Sequence, residues 1–340
     1  MIKKYIFLLF IALCWFLQSC STNKNPDSVE KKNDSTTSVS IETLNQKILD
    51  NPKDPDLLHE RAKYYLNKKD YQNCYVDMMN VLVLDSSKAP YFMTLSDLYF
   101  YTNKTRGSKR ALEKAIELDD KNITALLKLA ELYLYVGQNT QSIEYINKAL
   151  KIDQYNAKAY FMKGMNYKDL KDTARAISSM RTAIEQDKNY YHAYMQVGLM
   201  FAARKDPLAL DYYKSATHLA PNSSEAWYAT GKFYQDVEDW DNAINTYNAL
   251  ATADAKNKSV RYNLGVIYLL NLKKYPLALE QFTQAIESDP DYLEAYYGRG
   301  ITYKTMGNTS QAAADFEQCL RIDASYEPAK AELKQLNKLK

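Results

Sequence analysis

An internal repeat with a period of 34 residues constrains the fold of this chain more than any other feature of its sequence. In its clearest copy, 293–326, Tyr296, Gly300 and Tyr303 share one face of a helix at i, i+4 and i+7 spacing. After a Gly-Asn pair, Ala312 begins a second apolar pattern with the same helical period. The unit is therefore predicted to be two amphipathic helices joined by a tight turn.

The unit recurs eight times. Its eleventh position is aromatic in every copy, with successive gaps of 34, 34, 34, 34, 33, 34 and 35 residues: Tyr65, Tyr99, Tyr133, Tyr167, Phe201, Tyr234, Tyr268 and Tyr303. The eighth position is small: Ala62, Ser96, Ala130, Gly164, Gly198, Gly231, Gly265 and Gly300. The second helix carries a large residue four places after another small one: Met78, Leu112, Ile146, Met180, Tyr213, Tyr247, Phe282 and Phe316. Such a period predicts a solenoid of helical hairpins in which small residues let neighbouring backbones close together.

This pattern resembles the tetratricopeptide repeat family. The resemblance covers 55–326 and implies an all-α fold, a right-handed α-solenoid of about eight helix-turn-helix hairpins with N- and C-terminal capping helices. The eight units are 55–88, 89–122, 123–156, 157–190, 191–223, 224–257, 258–292 and 293–326. The fifth unit loses one residue and the seventh gains one, and both changes are expected in the turn between the helices, where loop length is easily altered.

The remaining segments complete a five-part organisation: 1–19 a lipoprotein signal peptide, 20–40 a lipid-anchored flexible tether, 41–54 a capping helix, 55–326 the repeats and 327–340 a second capping helix. The tether is predicted because 21–40 is polar and almost without apolar residues, so it cannot bury enough surface to offset the entropy of ordering.

The N-terminal stretch has the features of an exported lipoprotein. Two lysines precede thirteen apolar residues, 5–17, which is short for a membrane span and typical of a signal sequence. The end of this stretch, Leu17-Gln18-Ser19-Cys20, resembles a bacterial lipobox, which implies that Cys20 is lipidated and becomes the mature N-terminus. An ordinary cleaved leader with an incidental cysteine, or an uncleaved anchor, remains an alternative.

The residue after Cys20 is Ser21 rather than the Asp that retains Gram-negative lipoproteins at the inner membrane. By this resemblance, we expect the protein in the cell envelope, lipid-anchored at the outer membrane, on either its periplasmic face or its surface.

Composition argues against several functional classes. The formal charge of +3 falls to +1 without Lys3 and Lys4, which leaves no electrostatic footprint for nucleic acid. The three histidines have no carboxylate or cysteine partners at metal-ligand spacing, and no phosphate loop or nucleophile elbow is present. We therefore predict no catalytic residue, metal, cofactor or small-molecule substrate. Cys74 and Cys319 are expected to be buried small residues of the repeats.

The fifth, ninth and twelfth positions of each first helix avoid the hairpin core and are expected to line a concave face. The residues predicted to form an apolar partner-binding groove there are Met93, Leu127, Phe161, Met165, Met195, Leu199, Tyr228, Tyr262, Val266 and Tyr297. Such a groove suits a partner's helix or extended segment. The alternative is that part of the fifth column packs against the neighbouring repeat.

Two functional hypotheses follow. The first is a non-catalytic scaffold or adaptor that binds protein partners, in the assembly of an envelope complex such as secretion, pilus or outer-membrane machinery. The second is a glycan-capturing lipoprotein with embedded repeats. The second is disfavoured because that group inserts long irregular segments between repeats, whereas no insertion here exceeds one residue.

Overall fold

The computed structural model describes residues 40–337, and these form eighteen α-helices. The helices are α1 Ile41–Asp50, α2 Pro55–Asn67, α3 Tyr71–Leu84, α4 Ala89–Tyr101, α5 Thr105–Leu118, α6 Ile123–Tyr135, α7 Asn139–Ile152, α8 Ala157–Asp169, α9 Thr173–Gln186, α10 Tyr191–Ala202, α11 Leu208–Leu219, α12 Ser224–Asp236, α13 Trp240–Ala253, α14 Lys258–Val266, α15 Tyr275–Ser288, α16 Leu293–Thr305, α17 Thr309–Ile322 and α18 Glu327–Asn337. The leader, Cys20 and the tether fall outside the described residues.

Consecutive helices pair as hairpins, from α2 with α3 to α16 with α17, and each hairpin packs on the next. The prediction of an all-helical α-solenoid is confirmed. Helix α1 packs on the first hairpin and α18 on the last, so a single helix covers each end of the repeats. None of the helices in 40–337 is long and apolar enough to cross a membrane.

Aspartates set the connection between one hairpin and the next. The aspartate that ends a second helix accepts, through Oδ1, the backbone N–H two residues later, as in Asp153 with Tyr155 at 3.0 Å. The same Asx turn occurs at Asp85, Asp119, Asp187, Asp289 and Asp323. This turn holds the chain extended and delivers it to the next first helix, which explains why Asp recurs there.

The two helices of each hairpin meet where a small residue faces a large one. Ala62 and Ala130 face the aliphatic Met78 and Ile146, whereas glycine occupies this position wherever the large residue is aromatic. A Cβ atom on Gly300 would lie only 2.7 Å from Cε1 of Phe316, closer than side chains tolerate. The glycine is therefore required by the ring opposite it.

The two changes of unit length are not accommodated in the turns, and that prediction is wrong. In the fifth unit both helices shorten to 12 residues, while the connection 203–207 grows longer, because Pro207 cannot continue a helix upstream. In the seventh unit the extra residue is absorbed by a π-helical turn, Ile267–Asn271, where Leu272 N–H donates to the Ile267 carbonyl over 3.0 Å. A π turn is the usual way for a helix to take up one inserted residue.

Buried ion pairs stabilise both ends of the repeats. The Arg61 guanidinium donates two hydrogen bonds of 2.8 Å to Asp77, and Arg299 binds Asp315 at 2.9 and 2.8 Å from the same positions of the last unit. Such two-point contacts are geometrically specific. Arg61 also donates to Asn45 of α1, which joins the N-terminal helix to the first hairpin.

We expect Gly300→Ala to lower the free energy of unfolding by about 1–3 kcal/mol, because its Cβ would overlap the Phe316 ring. Adding Phe316→Ile recreates the Ala130–Ile146 pair and should recover part of the loss. Urea denaturation of the two single variants and the double variant measures this coupling. Strictly additive losses would contradict the size relation between the two positions.

Candidate functional site

The structure divides the ten residues predicted to form the groove. Leu127 and Met195 are buried, with 5% and 2% of their surface exposed, and Leu199 is exposed at 42%. The other seven are half-buried: Met93, Phe161, Met165, Tyr228, Tyr262, Val266 and Tyr297. The first helices therefore do not form one open apolar stripe, and the buried members contribute chiefly to packing.

Aromatic residues at the fifth position pack on the last residue of their own unit. The ring centroids of Phe161 and Tyr190 are 5.2 Å apart, and Tyr262 with Tyr292 lies at 5.6 Å. Tyr297 makes the same contact with the last tyrosine of its unit. These distances are typical of aromatic pairs. In these three units, the fifth-position ring therefore packs within its own unit, a contact that differs from the packing against the neighbouring repeat considered above.

Ion pairs connect the first helices of the second, third and fourth units. Lys128 Nζ lies 2.5 Å from Asp97 Oδ1, and Lys158 Nζ lies 3.8 Å from Glu131 Oε2. These side chains occupy the surface that the predicted groove would need, so the apolar part of the face lies further along the chain.

A cleft of about 690 Å³ opens in the fifth and sixth units. It brings together three of the predicted residues, Met195, Leu199 and Tyr228, and leaves the other seven outside. Its remaining walls are Ala202, Ala203, Tyr213, Ser224, Glu225, Ala229, Lys232, Phe233, Asp236, Asn257 and Ser259. Sequence reasoning missed the polar rim, because it selected apolar columns only.

The cleft exists because two alanines stand where larger residues stand in the other units. Ala202 and Ala203 occupy the twelfth and thirteenth positions of the fifth unit. The twelfth position elsewhere holds Leu66, Phe100, Leu134, Lys168, Gln235, Leu269 or Lys304. The Ala-Ala pair was therefore the signal in the sequence from which this cleft could have been found.

A hydrogen-bonded network occupies the equivalent place one unit later. The buried Tyr247 hydroxyl donates to Gln235 Oε1 over 3.1 Å and accepts from Asn263 Nδ2 over 3.2 Å. The same Asn263 amide donates to the Tyr228 hydroxyl over 3.0 Å. Each polar group of this network has a partner, as a buried group requires.

In the fifth unit Tyr213 stands where Tyr247 stands in the sixth, but its surroundings cannot bond to it. The positions of Gln235, Asn263 and Tyr228 are taken there by three residues without hydrogen-bonding side chains: Ala202, Ala229 and Met195. Tyr213 is only 1% exposed as a whole residue, but its hydroxyl makes no side-chain hydrogen bond within 40–337 and is open to the cleft. The Tyr213 hydroxyl therefore opens on the cleft, where solvent or a ligand can form a hydrogen bond with it.

Charged groups surround this hydroxyl. Burial raises the pKa of Tyr213 above its ordinary value, and the nearby Asp236 carboxylate raises it further, so the phenol stays protonated. Asp236 forms an ion pair with Lys232 along the same helix. Glu225 accepts a hydrogen bond of 3.2 Å from the Tyr191 hydroxyl at the rim. With two carboxylates and one ammonium group, the cleft has a net negative charge.

The cysteines and histidines among the described residues do not form a metal site. No group of three or more potential metal ligands lies together in the part of the chain described. Cys74 and Cys319 are free and fully buried, as predicted, and burial raises the pKa of each thiol to about 12. His59 is buried against Thr94, with 2.8 Å between Nε2 and Oγ1.

The two equivalent tyrosines should respond differently to loss of their hydroxyl. We expect Tyr247→Phe to lower the free energy of unfolding by about 1–2 kcal/mol, because it leaves Gln235 and Asn263 without a partner. Tyr213→Phe should change it by less than about 0.5 kcal/mol, since no protein hydrogen bond is lost. Chemical denaturation of both variants measures the difference. A similar loss in the two would mean that Tyr213 is bonded within the fold.

Comparison with known proteins places the chain in a family. The model of a family described as ChAPs (Chs5p-Arf1p-binding proteins) matches residues 83–293, more than half of the 340 residues. A tetratricopeptide repeat model matches 293–326, the eighth unit.

Among curated proteins, the chain is similar to the general transcriptional corepressor ssn6 of Schizosaccharomyces pombe, at 31% identity over 35% of this chain and 11% of that protein. It is also similar to human serine/threonine-protein phosphatase 5, at 28% identity over 40% of this chain and 26% of the phosphatase. The chain thus spans about a quarter or less of the length of these relatives.

Solved structures share the fold. A C-terminal part of a TPR repeat-containing protein from Cytophaga hutchinsonii superposes with a TM-score of 0.54 at 19% identity, over 65% of this chain and 91% of that one. A tetratricopeptide repeat protein from Parabacteroides merdae gives 0.52 at 15% identity, over 74% and 99%. The chain is therefore built of tetratricopeptide repeats and belongs to the ChAPs family, the Chs5p-Arf1p-binding proteins.

Proposed function

We propose that this protein is a non-catalytic scaffold that holds a protein partner in the cleft of its fifth and sixth units. The cleft itself carries the proposal, since it combines an exposed apolar wall at Leu199 with a rim of charged and hydrogen-bonding groups. Apolar walls with a few placed polar groups are the usual composition of a recognition site.

The description of the family supports a protein as the partner. Its description concerns proteins that bind the proteins Chs5p and Arf1p, so protein binding is the activity for which this family is named. The relatives among curated proteins include an enzyme, the phosphatase, but only a quarter of its length aligns with this chain. For that reason its chemistry gives no support for catalysis here.

The setting we propose is the cell envelope, with the protein anchored by lipid on Cys20 and taking part in assembling an envelope complex. The support is the sequence of the leader, in which two lysines and thirteen apolar residues precede Leu17-Gln18-Ser19-Cys20. Multiple acylation would hold the protein firmly at a membrane without a spanning helix, since each buried methylene contributes about 0.8 kcal/mol. Ser21 after the cysteine, in place of the Asp that retains Gram-negative lipoproteins at the inner membrane, supports an outer-membrane location by resemblance.

The binding site is tested by photocrosslinking in intact cells. A benzophenone amino acid replaces Ala203 at the exposed rim of the cleft, and the control places it at Lys214, which is exposed on the second helix of the same unit. We expect a discrete protein adduct from 203 only. Leu199→Asp should reduce this adduct by at least about tenfold, because it puts a charge into the apolar wall.

The helical circular dichroism of Leu199→Asp should be unchanged, since Leu199 is largely exposed. Met195 is unsuitable for this purpose because it is buried. Equal adducts from 203 and 214, or none from 203, would contradict the scaffold proposal.

The anchor is tested by labelling cells with an alkyne analogue of palmitate. We expect Cys20→Ala to lose the label and to leave the membrane fraction or keep its leader, because the acylated thiol is gone. Cys14→Ala provides the matched control, since Cys14 lies within the leader and should not affect labelling. Continued labelling of the Cys20→Ala protein would refute the lipidation.

A further inference from the structure

We infer that the cleft receives an arginine side chain from an extended segment of the partner, with the Tyr213 hydroxyl and the Asp236 carboxylate as its recognition groups. This inference rests on the proposed function, because it specifies what the partner inserts into the cleft. Hydrogen bonding, charge and the comparison with the next unit support it independently.

The Tyr213 hydroxyl is free to bond to a ligand. Tyr247 has two protein partners, Gln235 and Asn263, whereas the Tyr213 hydroxyl has none among the described residues. Because this hydroxyl opens on the cleft, a ligand can form a hydrogen bond with it without displacing a protein partner. In the next unit, the equivalent space is filled by the amide side chains of Gln235 and Asn263, which come from two other helices. A long side chain with hydrogen-bond donors therefore fits the space beside Tyr213.

The charge of the cleft favours a cation. Asp236 and Glu225 both line the cleft with Tyr213, and the Asp236 carboxylate raises the pKa of Tyr213. Lys232 is the one ammonium group lining the cleft, and its ion pair with Asp236 is about two-fifths exposed on both sides. Exposed pairs of this kind contribute little and are easily shared with a third group. The cleft therefore favours a cation over an acidic or neutral side chain.

An arginine side chain fits the cleft better than a lysine side chain. A guanidinium presents five donors in one plane, so it can donate to the Tyr213 hydroxyl and to a carboxylate of Asp236 at the same time. It is also weakly hydrated and packs on aromatic faces, and Tyr228 and Phe233 line the same cleft. A lysine ammonium would lose more hydration on entering a cleft whose walls are mainly apolar.

The inference is tested with four pools of fluorescein-labelled nine-residue peptides, in which the central residue is Arg, Lys, Gln or Glu and the flanking residues are randomised. Fluorescence anisotropy with the purified chain should show the Arg pool binding at least about tenfold more tightly than each of the other pools. Ala202→Gln with Ala229→Asn supplies the two amides of the sixth unit, and it should abolish this preference by filling the cleft.

Tyr213→Phe should weaken the Arg pool by about tenfold, because a hydrogen bond to a charged group is lost. The matched control, Tyr247→Phe, should leave binding within about twofold, since that hydroxyl is bonded inside the fold. Absence of binding by every pool, an equal or greater affinity of the Lys, Gln or Glu pool, or equal effects of the two tyrosine variants would overturn the assignment of arginine. In that case, a crosslink from position 203 in cells would still support the scaffold, so each of the two proposals can be disproved without the other.

Discussion

The close approach of the two helices within each hairpin is the contact on which the rest of the structure depends. It is possible only because a small residue on one helix faces a large one on the other, with glycine opposite every aromatic ring, as at Gly231 and Tyr247. Each hairpin contacts only its neighbours. The contact between a small and a large residue is therefore repeated in every hairpin and takes the place of one shared core. It therefore sets where every first helix lies, and with it the face that carries the cleft.

Features shared by all eight units could be predicted from the sequence, and features that belong to one unit could not. The helical hairpins could be predicted from columns such as that of Gly300, because a residue size that is kept in all eight copies reflects packing rather than chance. Unit length shows that a residue is gained or lost but not whether helix or loop absorbs it. The extra residue of the seventh unit was therefore predicted in the connection, although a π turn at Ile267–Asn271 absorbs it. The cleft was missed because it arises from departures, Ala202 and Ala229, which a search for common positions discards.

The fifth and sixth units show how a repeated backbone acquires a local site. Their tyrosines, Tyr213 and Tyr247, hold equivalent positions, yet one hydroxyl is bonded within the protein and the other faces a cleft. The difference lies in three neighbouring side chains and in the longer connection 203–207 of the fifth unit. Binding specificity can therefore be placed in one hairpin without disturbing the packing of the others.

The paired Arg61–Asp77 and Arg299–Asp315 contacts also bear on how such a chain changes in length during evolution. The position that is arginine in the first and last units is a buried aliphatic residue in four of the six between them: Leu95, Leu129, Val197 and Leu264. Terminal and interior units are thus not interchangeable. Both members of each pair lie in one hairpin, so duplication of a whole terminal unit copies the guanidinium together with its carboxylate, whereas recombination within the hairpin separates them. Exchange between terminal and interior repeats is therefore expected to proceed by whole units.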